Sequence, residues 1–428
     1  MIRKFLQRSE FTRNVLTLMT GTTIAQAIPF LVSPILSRLY MPEDFDVLAL
    51  YLAVVNLFAP IITGTYEQAI ILPREEGDAV HVAGLTALMV AVFSMASIPV
   101  VVFFNHPITQ LLNNPKVSPW LYLVPAGLFL ASMTQVLTYW SMRNKLFGNI
   151  AGSRVGQSVS TAAVNLGFGA GVEGASGLVL GNLLGQGLAA GMLGYPVWKS
   201  RMEITTRVNG KGLKAQMKKY RNFPLFTLPQ TFLDGIKESG LIFLISSLFV
   251  AGTLGSYSFT VKILKMPLNL MGVAISQVFY QKAAERYNSG EPLFPLLRDV
   301  LVRLVVIALP ILALLVLFGP QLFAFVFGPE WTQAGRFARI LAPWLLVQFI
   351  SSPVSQIPLI LGRQKAFLFI AAVLNILIPA TFALAAFSSH DIEVSLLVIS
   401  IITSLYLVGV IVWIARLTRL GRHLTGAD

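Results

Sequence analysis

The chain has 428 residues, 55% hydrophobic and only 12% charged, with a mean hydropathy of +0.72 and a net charge of +13. A soluble domain is closer to a quarter charged, so this composition belongs to the membrane class, where net positive charge reads as cytoplasmic loop bias and not as nucleic-acid binding. With no cysteine, disulfides, Cys-ligated zinc and a thiol nucleophile are excluded.

No cleavable secretory signal is apparent: the apolar stretch from Val15 to Leu36 is full-length for a bilayer and is followed directly by a second one. Apolar windows of roughly 20 residues, broken by charge or Pro/Gly turns, predict about twelve spans. Their approximate limits are 12–37, 45–72, 79–104, 117–141, 147–170, 174–198, 224–249, 253–281, 299–325, 334–361, 365–387 and 392–415. The longest connection, near 199–223, carries Lys199, Arg201, Arg207, Lys211, Lys214, Lys218, Lys219 and Arg221 against one acid, Glu203.

In a twelve-span arrangement the basic residues fall on one side: Arg3, Lys4, Arg8 and Arg13, then Arg143 and Lys145, the central loop, Lys282, Arg286 and Arg298, Arg363 and Lys365, and finally Arg416, Arg419 and Arg422. The opposite loops hold little beyond Arg38 and Lys116. By the positive-inside rule both termini are expected in the cytoplasm.

The central loop divides the chain evenly, which predicts an N-terminal six-helix bundle over 1–205 and a C-terminal one over 206–428. "SRLYMPEDFDVLALY" (37–51) aligns with "SSLFVAGTLGSYSFT" (246–260) at a shift of 209 residues, opposing Asp46 to Gly255. Six spans per half is an even number, so the halves would be parallel repeats with a substrate site between them.

Charge within a span costs about 2.5–3.5 kcal/mol per Lys or Arg on insertion scales, so its position is informative. Span one carries Thr22, Gln26, Pro29, Ser33 and Ser37, ending at Arg38; span two holds Glu67. Span five has Arg154, Ser158, Thr161 and Asn165 along a single face. Span seven places Asp234, Lys237 and Glu238 together, span eight has Lys262 and Lys265, and span ten has Arg336 and Arg339 near its outer end. Facing one another, these stripes would line a wet cavity rich in cations, suited to a phosphate or pyrophosphate. Arg154, Lys237, Lys262, Lys265 and Arg38 are the candidate anion-binding residues, and Glu67, Asp234, Gln26 and Asn165 the polar or coupling ones. Snorkelling of Lys265 and Arg154 to the headgroups is the competing reading.

Gly148, Gly152 and Gly156 in span five, with Gly177, Gly181 and Gly185 in span six, read as packing seams. Prolines 29, 34, 60, 267, 310, 343, 353 and 379 within spans imply kinks and hinges. His81, His106, His390 and His423 have no metal-ligand spacing, and no Walker A sequence is present. The loops are too short to hold a catalytic domain.

"TGTTIAQAIPFLVSPILSRLYMPEDF" (20–45), "TGTYEQAIILP" (63–73), "FPLFTLPQTFLDGI" (223–236), "KMPLNLMGVAISQVFYQKAAE" (265–285) and "FGPEWTQAGRFARILAPWLL" (327–346) resemble the Wzx-type oligosaccharide flippases of O-antigen and polysaccharide synthesis, in the multidrug/oligosaccharidyl-lipid/polysaccharide (MOP) exporter superfamily. The likeness runs over nearly the whole chain. It implies an all-α polytopic membrane protein with a MATE-like fold, two six-helix bundles around a V-shaped central cavity. It also implies alternating-access transport of an undecaprenyl-pyrophosphate-linked glycan across the bacterial inner membrane. An ion gradient (H+ or Na+) or the membrane potential would drive it, with no cofactor or metal. Membrane lipids, a polysaccharide polymerase and other assembly proteins would be its partners. The related lipid II flippases usually have fourteen spans, which weighs against that branch. Readings kept open are a cation-coupled multidrug exporter of the same superfamily and a membrane enzyme of polysaccharide assembly.

Two positions depart from the family pattern of Phe-Gly, namely Phe45-Asp46 and Phe249-Val250. Pro42-Glu43-Asp44 suits a helix start, and Asp46 reads as one more acid in that first turn. On this reading Asp46→Gly would keep or improve stability.

Overall fold

The computed structural model describes residues 2–171, 174–199 and 209–420, and among these there is no β-strand. Twelve long helices carry the fold: α1 Ile2–Leu39, α2 Pro42–Thr63, α3 Glu76–Leu111, α4 Val124–Arg143, α5 Phe147–Gly169, α6 Ser176–Lys199, α7 Leu228–Leu248, α8 Thr253–Asn288, α9 Leu293–Phe327, α10 Thr332–Val354, α11 Gln364–Ser389 and α12 Ile392–Leu420. Each overlaps one of the expected spans. Among the described residues, eight are long and apolar enough to cross a membrane, and α4 joined to Pro115–Leu121 across a 59° bend makes a ninth. This is a multi-pass membrane protein. Outside that set are α5, α7 and α8, the helices that carry Arg154, the Asp234–Lys237–Glu238 cluster and the Lys262–Lys265 pair.

Several boundaries differ from the sequence expectation, each for a local reason. Span two was expected to run to residue 72, but α2 stops at Thr63 because Gly64 (φ 58°) and Thr65 (φ 57°) both turn left-handed. The chain continues as a 3₁₀ segment, Tyr66–Ile71. Span four breaks after Leu121, ahead of Pro125 in the first turn of α4. Span ten ends at Val354, just past Pro353, and a separate short helix follows at Ile357–Ile360. All eight of the prolines expected within spans lie inside helices.

By its internal packing the chain divides into two units, 1–255 and 256–428. The bundle boundary expected at 205–206 lies outside the described residues.

In unit 1, α5 is wedged between α1 and α6, α2 packs on α7 and α4, and α3 packs on α4 and on a short basic helix, Gly210–Lys219. The interior holds Leu50, Val55, Ile70, Val82, Val90, Leu128, Val179 and Ile245, all almost wholly buried. Between helices in lipid, such contacts hold through close packing and dispersion, because burial from water is no longer a driving force.

In unit 2, α9 packs on α10, and α12 packs on α10, α11 and α9. The Phe259 ring meets Trp331 at 4.1 Å and Phe327 edge-on at 5.0 Å between centroids. Thr260 Oγ1 donates to Ala334 O at 2.9 Å, and Ser400 Oγ to Ile340 O at 2.7 Å, tying α8 and α12 to α10. A second cluster around Phe279, Leu297, Ile357 and Ile414 closes the other end of α8.

Candidate functional site

The polar face of α5 is bonded on two sides. Thr22 Oγ1 donates to Leu18 O (2.7 Å), leaving its lone pairs to accept from Arg154 Nη1 at 2.6 Å. One turn on, Ser158 Oγ donates to Ala25 O of α1 at 2.7 Å. Half-buried Arg154 forms no ion pair among the described residues. Asn165 is buried; with its amide oriented to satisfy the surrounding acceptors, it donates to Thr161 O (3.0 Å) and Gly177 O (2.9 Å). Asn165 O in turn accepts from Tyr40 OH at 2.6 Å.

The α6 glycines lie against this face. A Cβ at Gly177 would overlap Tyr40 OH, at Gly181 the Asn165 amide, and at Gly185 the Thr161 hydroxyl. Close backbone approach is what lets the polar groups pair across the seam. The α5 glycines differ among themselves: Gly156 meets Met192, whereas Gly148 has nothing within 4 Å.

At the end of unit 1 where α1 turns into α2, Asp46 is only 2% exposed. Its carboxylate accepts from the backbone N–H of Gly252 at 2.6 Å and from that of Gly255. Asp46 therefore caps the first turn of α8 from another helix, satisfying donors that the helix itself leaves unpaired and placing negative charge at its N-terminus. This corrects the expectation that Asp46→Gly would be harmless: the carboxylate is bonded, and the residue opposed to it at the shift of 209 is one of its partners. Gly255 approaches so closely that a Cβ there would overlap Pro42 O. Nearby, Asp44 Oδ2 accepts from Met41 N (3.0 Å), and Lys116 pairs with Glu43. Arg38, in the last turn of α1, is exposed and Gln26 half-buried.

At the other end, Arg143 holds the 3₁₀ segment. Nη1 donates to the carbonyls of Pro73 (2.7 Å), Ile71 (3.2 Å) and Ile70 (3.3 Å), and Nη2 to that of Glu75 (3.4 Å). Inside that segment Glu67 is 8% exposed, and its Oε2 has no hydrogen-bond partner among the described residues. The helix Gly210–Lys219 docks beside it. Tyr66 OH donates to Met217 O (3.0 Å), and Lys219 pairs with Asp78 at 3.1 Å, which holds the ammonium above its usual range. His81 bridges Gly77 O through Nδ1 (2.6 Å) and accepts from Asn209 N–H at Nε2 (3.4 Å), so it is a docking residue. Arg201, Glu203 and Arg207 of this connection lie outside the described residues, as do Arg422 and His423.

On α7, Asp234 and Glu238 are exposed and Lys237 is half-buried. In unit 2, Lys262 is exposed on α8 and Lys265 half-buried. Arg336 Nε pairs with Glu393 Oε1 at 3.0 Å, and Arg339 Nη2 reaches Leu317 O at 3.4 Å, so both cations of α10 are engaged. No group of three metal-ligating side chains occurs among the described residues.

Within unit 1 the structure brings Arg154 to α1 and Asn165 to the α5–α6 seam. The roles of Asp46 and Arg143 were not readable from sequence. The alignment that opposed Asp46 to Gly255 was the one signal that could have exposed the first.

The fold is similar to those of several solved membrane transporters. It matches a lipid II flippase, MurJ, in an inward closed conformation with a TM-score of 0.68 at 12% identity, over 96% of this chain and 93% of that one. An inward-facing multidrug resistance MATE family transporter of the MOP superfamily matches with a TM-score of 0.60 at 15% identity, over 96% of both chains. A point mutant of the MATE transporter VcmN of Vibrio cholerae matches with a TM-score of 0.56 at 11% identity, over 97% of both. No curated protein matches by sequence. The family described as "Polysaccharide biosynthesis protein" matches residues 35–336, and the chain belongs to that family.

Proposed function

We propose that this protein is a flippase that moves an undecaprenyl-pyrophosphate-linked oligosaccharide, an O-antigen or exopolysaccharide repeat unit, across the bacterial inner membrane by alternating access. The observation that carries the reading is chemical. In a chain of the polysaccharide biosynthesis family with a MOP transporter fold, α5, α7 and α8 bear Arg154, Lys237 and Lys262 well inside their lengths. Cations retained at such cost suit a pyrophosphate, and Lys265 and Arg38 would extend the same field.

The positive-inside distribution supports termini in the cytoplasm. The even division into an N-terminal bundle over 1–205 and a C-terminal one over 206–428 supports a substrate path between two repeats. Energy would come from an ion gradient or the membrane potential. Glu67, buried with one oxygen unpartnered among the described residues, has the chemistry of a proton or Na+ acceptor, and Asp234, Gln26 and Asn165 are further polar candidates. A polymerase and other assembly proteins would take the product onward.

The test replaces Arg154, Lys237 and Lys262 by Ala, singly and together, and measures surface polysaccharide at matched expression. The reading expects export to fall; unchanged export in all of them would remove the cationic site. The likeness to MATE transporters, with Glu67 as a buried acid, favours one second reading, a cation-coupled multidrug exporter. Efflux of a cationic dye from proteoliposomes, with no effect on polysaccharide, would select it.

A further inference from the structure

The three turns that meet at the Asp46 end of unit 1, between α1 and α2, α3 and α4, and α5 and α6, border an open cavity of about 690 Å³. This is within the range of small-molecule sites, roughly 300–1,000 Å³. Its lining includes Met41, Glu43, Asp44, Lys116, Trp120 and Ser176. Two properties of these residues bear on what fits there. The Trp120 indole is half-buried, so one part of the ring is packed and another is open to a ligand. Glu43 and Lys116, though paired, keep 44% and 61% of their side chains accessible.

We infer that this cavity is a saccharide-binding site, separate from the cationic helix residues assigned to the pyrophosphate. A pyranose presents a face of C–H bonds and a rim of hydroxyls. The electron-rich face of an indole attracts the weakly positive C–H face. Carboxylates accept hydrogen bonds from hydroxyls, and Lys116 can donate back to ring and hydroxyl oxygens. Two carboxylates against one ammonium disfavour a phosphate or any other anion, so the lipid-linked pyrophosphate is not the occupant. A purely apolar ligand would take the accessible parts of Glu43 and Lys116 out of water without replacing their hydrogen bonds to it. The volume holds one to a few sugar rings. The inference rests on the flippase reading and deepens it: by the charge distribution this end faces outward, so the pocket would receive the glycan as it emerges.

The experiment uses the full chain in nanodiscs. Saturation-transfer NMR and tryptophan fluorescence are recorded while mannose, galactose, N-acetylglucosamine and their linear trisaccharides are added. At least one probe should bind saturably. Trp120→Ala should weaken it by about tenfold or more, the scale of one lost aromatic anchor. Trp120→Phe should retain most of it, and Trp198→Phe, at an exposed site, should leave it unchanged. Equal thermal stability of the variants separates lost contact from lost fold. Saturable binding by none of the probes, or binding indifferent to Trp120→Ala, overturns the inference. Surface polysaccharide in cells expressing the wild type separates the two readings. Export without sugar binding removes the pocket and leaves the flippase, whereas no export in complemented cells removes both.

Discussion

The backbone N–H of Gly255 donates to the Asp46 carboxylate 209 positions away, the interval at which 246–260 aligns with 37–51. Two turns that resemble each other in sequence are thus in contact, and a position at which they differ makes the bond. Asp46→Ala leaves the Gly252 and Gly255 N–H groups buried and unpaired at a helix start, a loss of about 1–3 kcal/mol. Differential scanning fluorimetry in detergent should show a clear drop in Tm for Asp46→Ala and for Asp46→Gly. Asp46→Asn, which keeps one acceptor, should fall between them and the wild type. An unchanged Tm for Asp46→Gly would mean that water serves these donors equally well.

Gly255 is the other half of that contact. Because a Cβ there meets the Pro42 carbonyl, and backbone cannot rotate away as a side chain can, Gly255→Ala should cost about 1–3 kcal/mol in overpacking. The same assay checks it, and a wild-type Tm would show that α2 and α8 can separate freely at this point.

The α6 glycines and Gly148 of α5 give opposite expectations from the same substitution. Gly181→Ala pushes into the Asn165 amide and Thr161 O and should lower Tm by an amount reflecting about 1–3 kcal/mol. Gly148→Ala, with nothing within 4 Å, should hold or raise Tm, since Ala is favoured over Gly in a helix by about 0.5–1 kcal/mol. Equal responses at the two sites would contradict the assigned α5–α6 seam.

Arg143 gathers four carbonyls from the 70–75 segment, so its removal should free that segment more than it unfolds the bundle. The chain has no cysteine, so a single Leu72→Cys reporter can be labelled with a maleimide without background. Labelling should be faster with Arg143→Ala than with Arg143, and identical rates would show that the segment is held by other contacts.

Most of the helices were legible because lipid demands about 20 apolar residues per crossing, and hydropathy records that demand directly. The breaks were less so. A window average reads through Gly64 and Thr65, although two left-handed residues end α2 at Thr63. The turn chemistry of Pro42, Glu43 and Asp44 was readable, being local, while the partners of Asp46 lie 206 and 209 positions away and are set by how α2 and α8 meet. The polar face of α5 was visible as a pattern. Its use was not, because the same residues satisfy two readings. Thr161 and Asn165 close a seam against glycines, and Arg154 reaches Thr22 with no ion pair among the described residues.

The most direct measurement is transport itself. Purified protein is reconstituted into liposomes with a fluorescent undecaprenyl-pyrophosphate-linked oligosaccharide, and the fraction of glycan accessible to an external lectin is followed over time. The flippase reading predicts protein-dependent movement between leaflets that is strongly slowed when Arg154, Lys237 and Lys262 are all replaced by Ala. Movement no faster than in protein-free liposomes, or a triple variant as fast as the wild type, would contradict it.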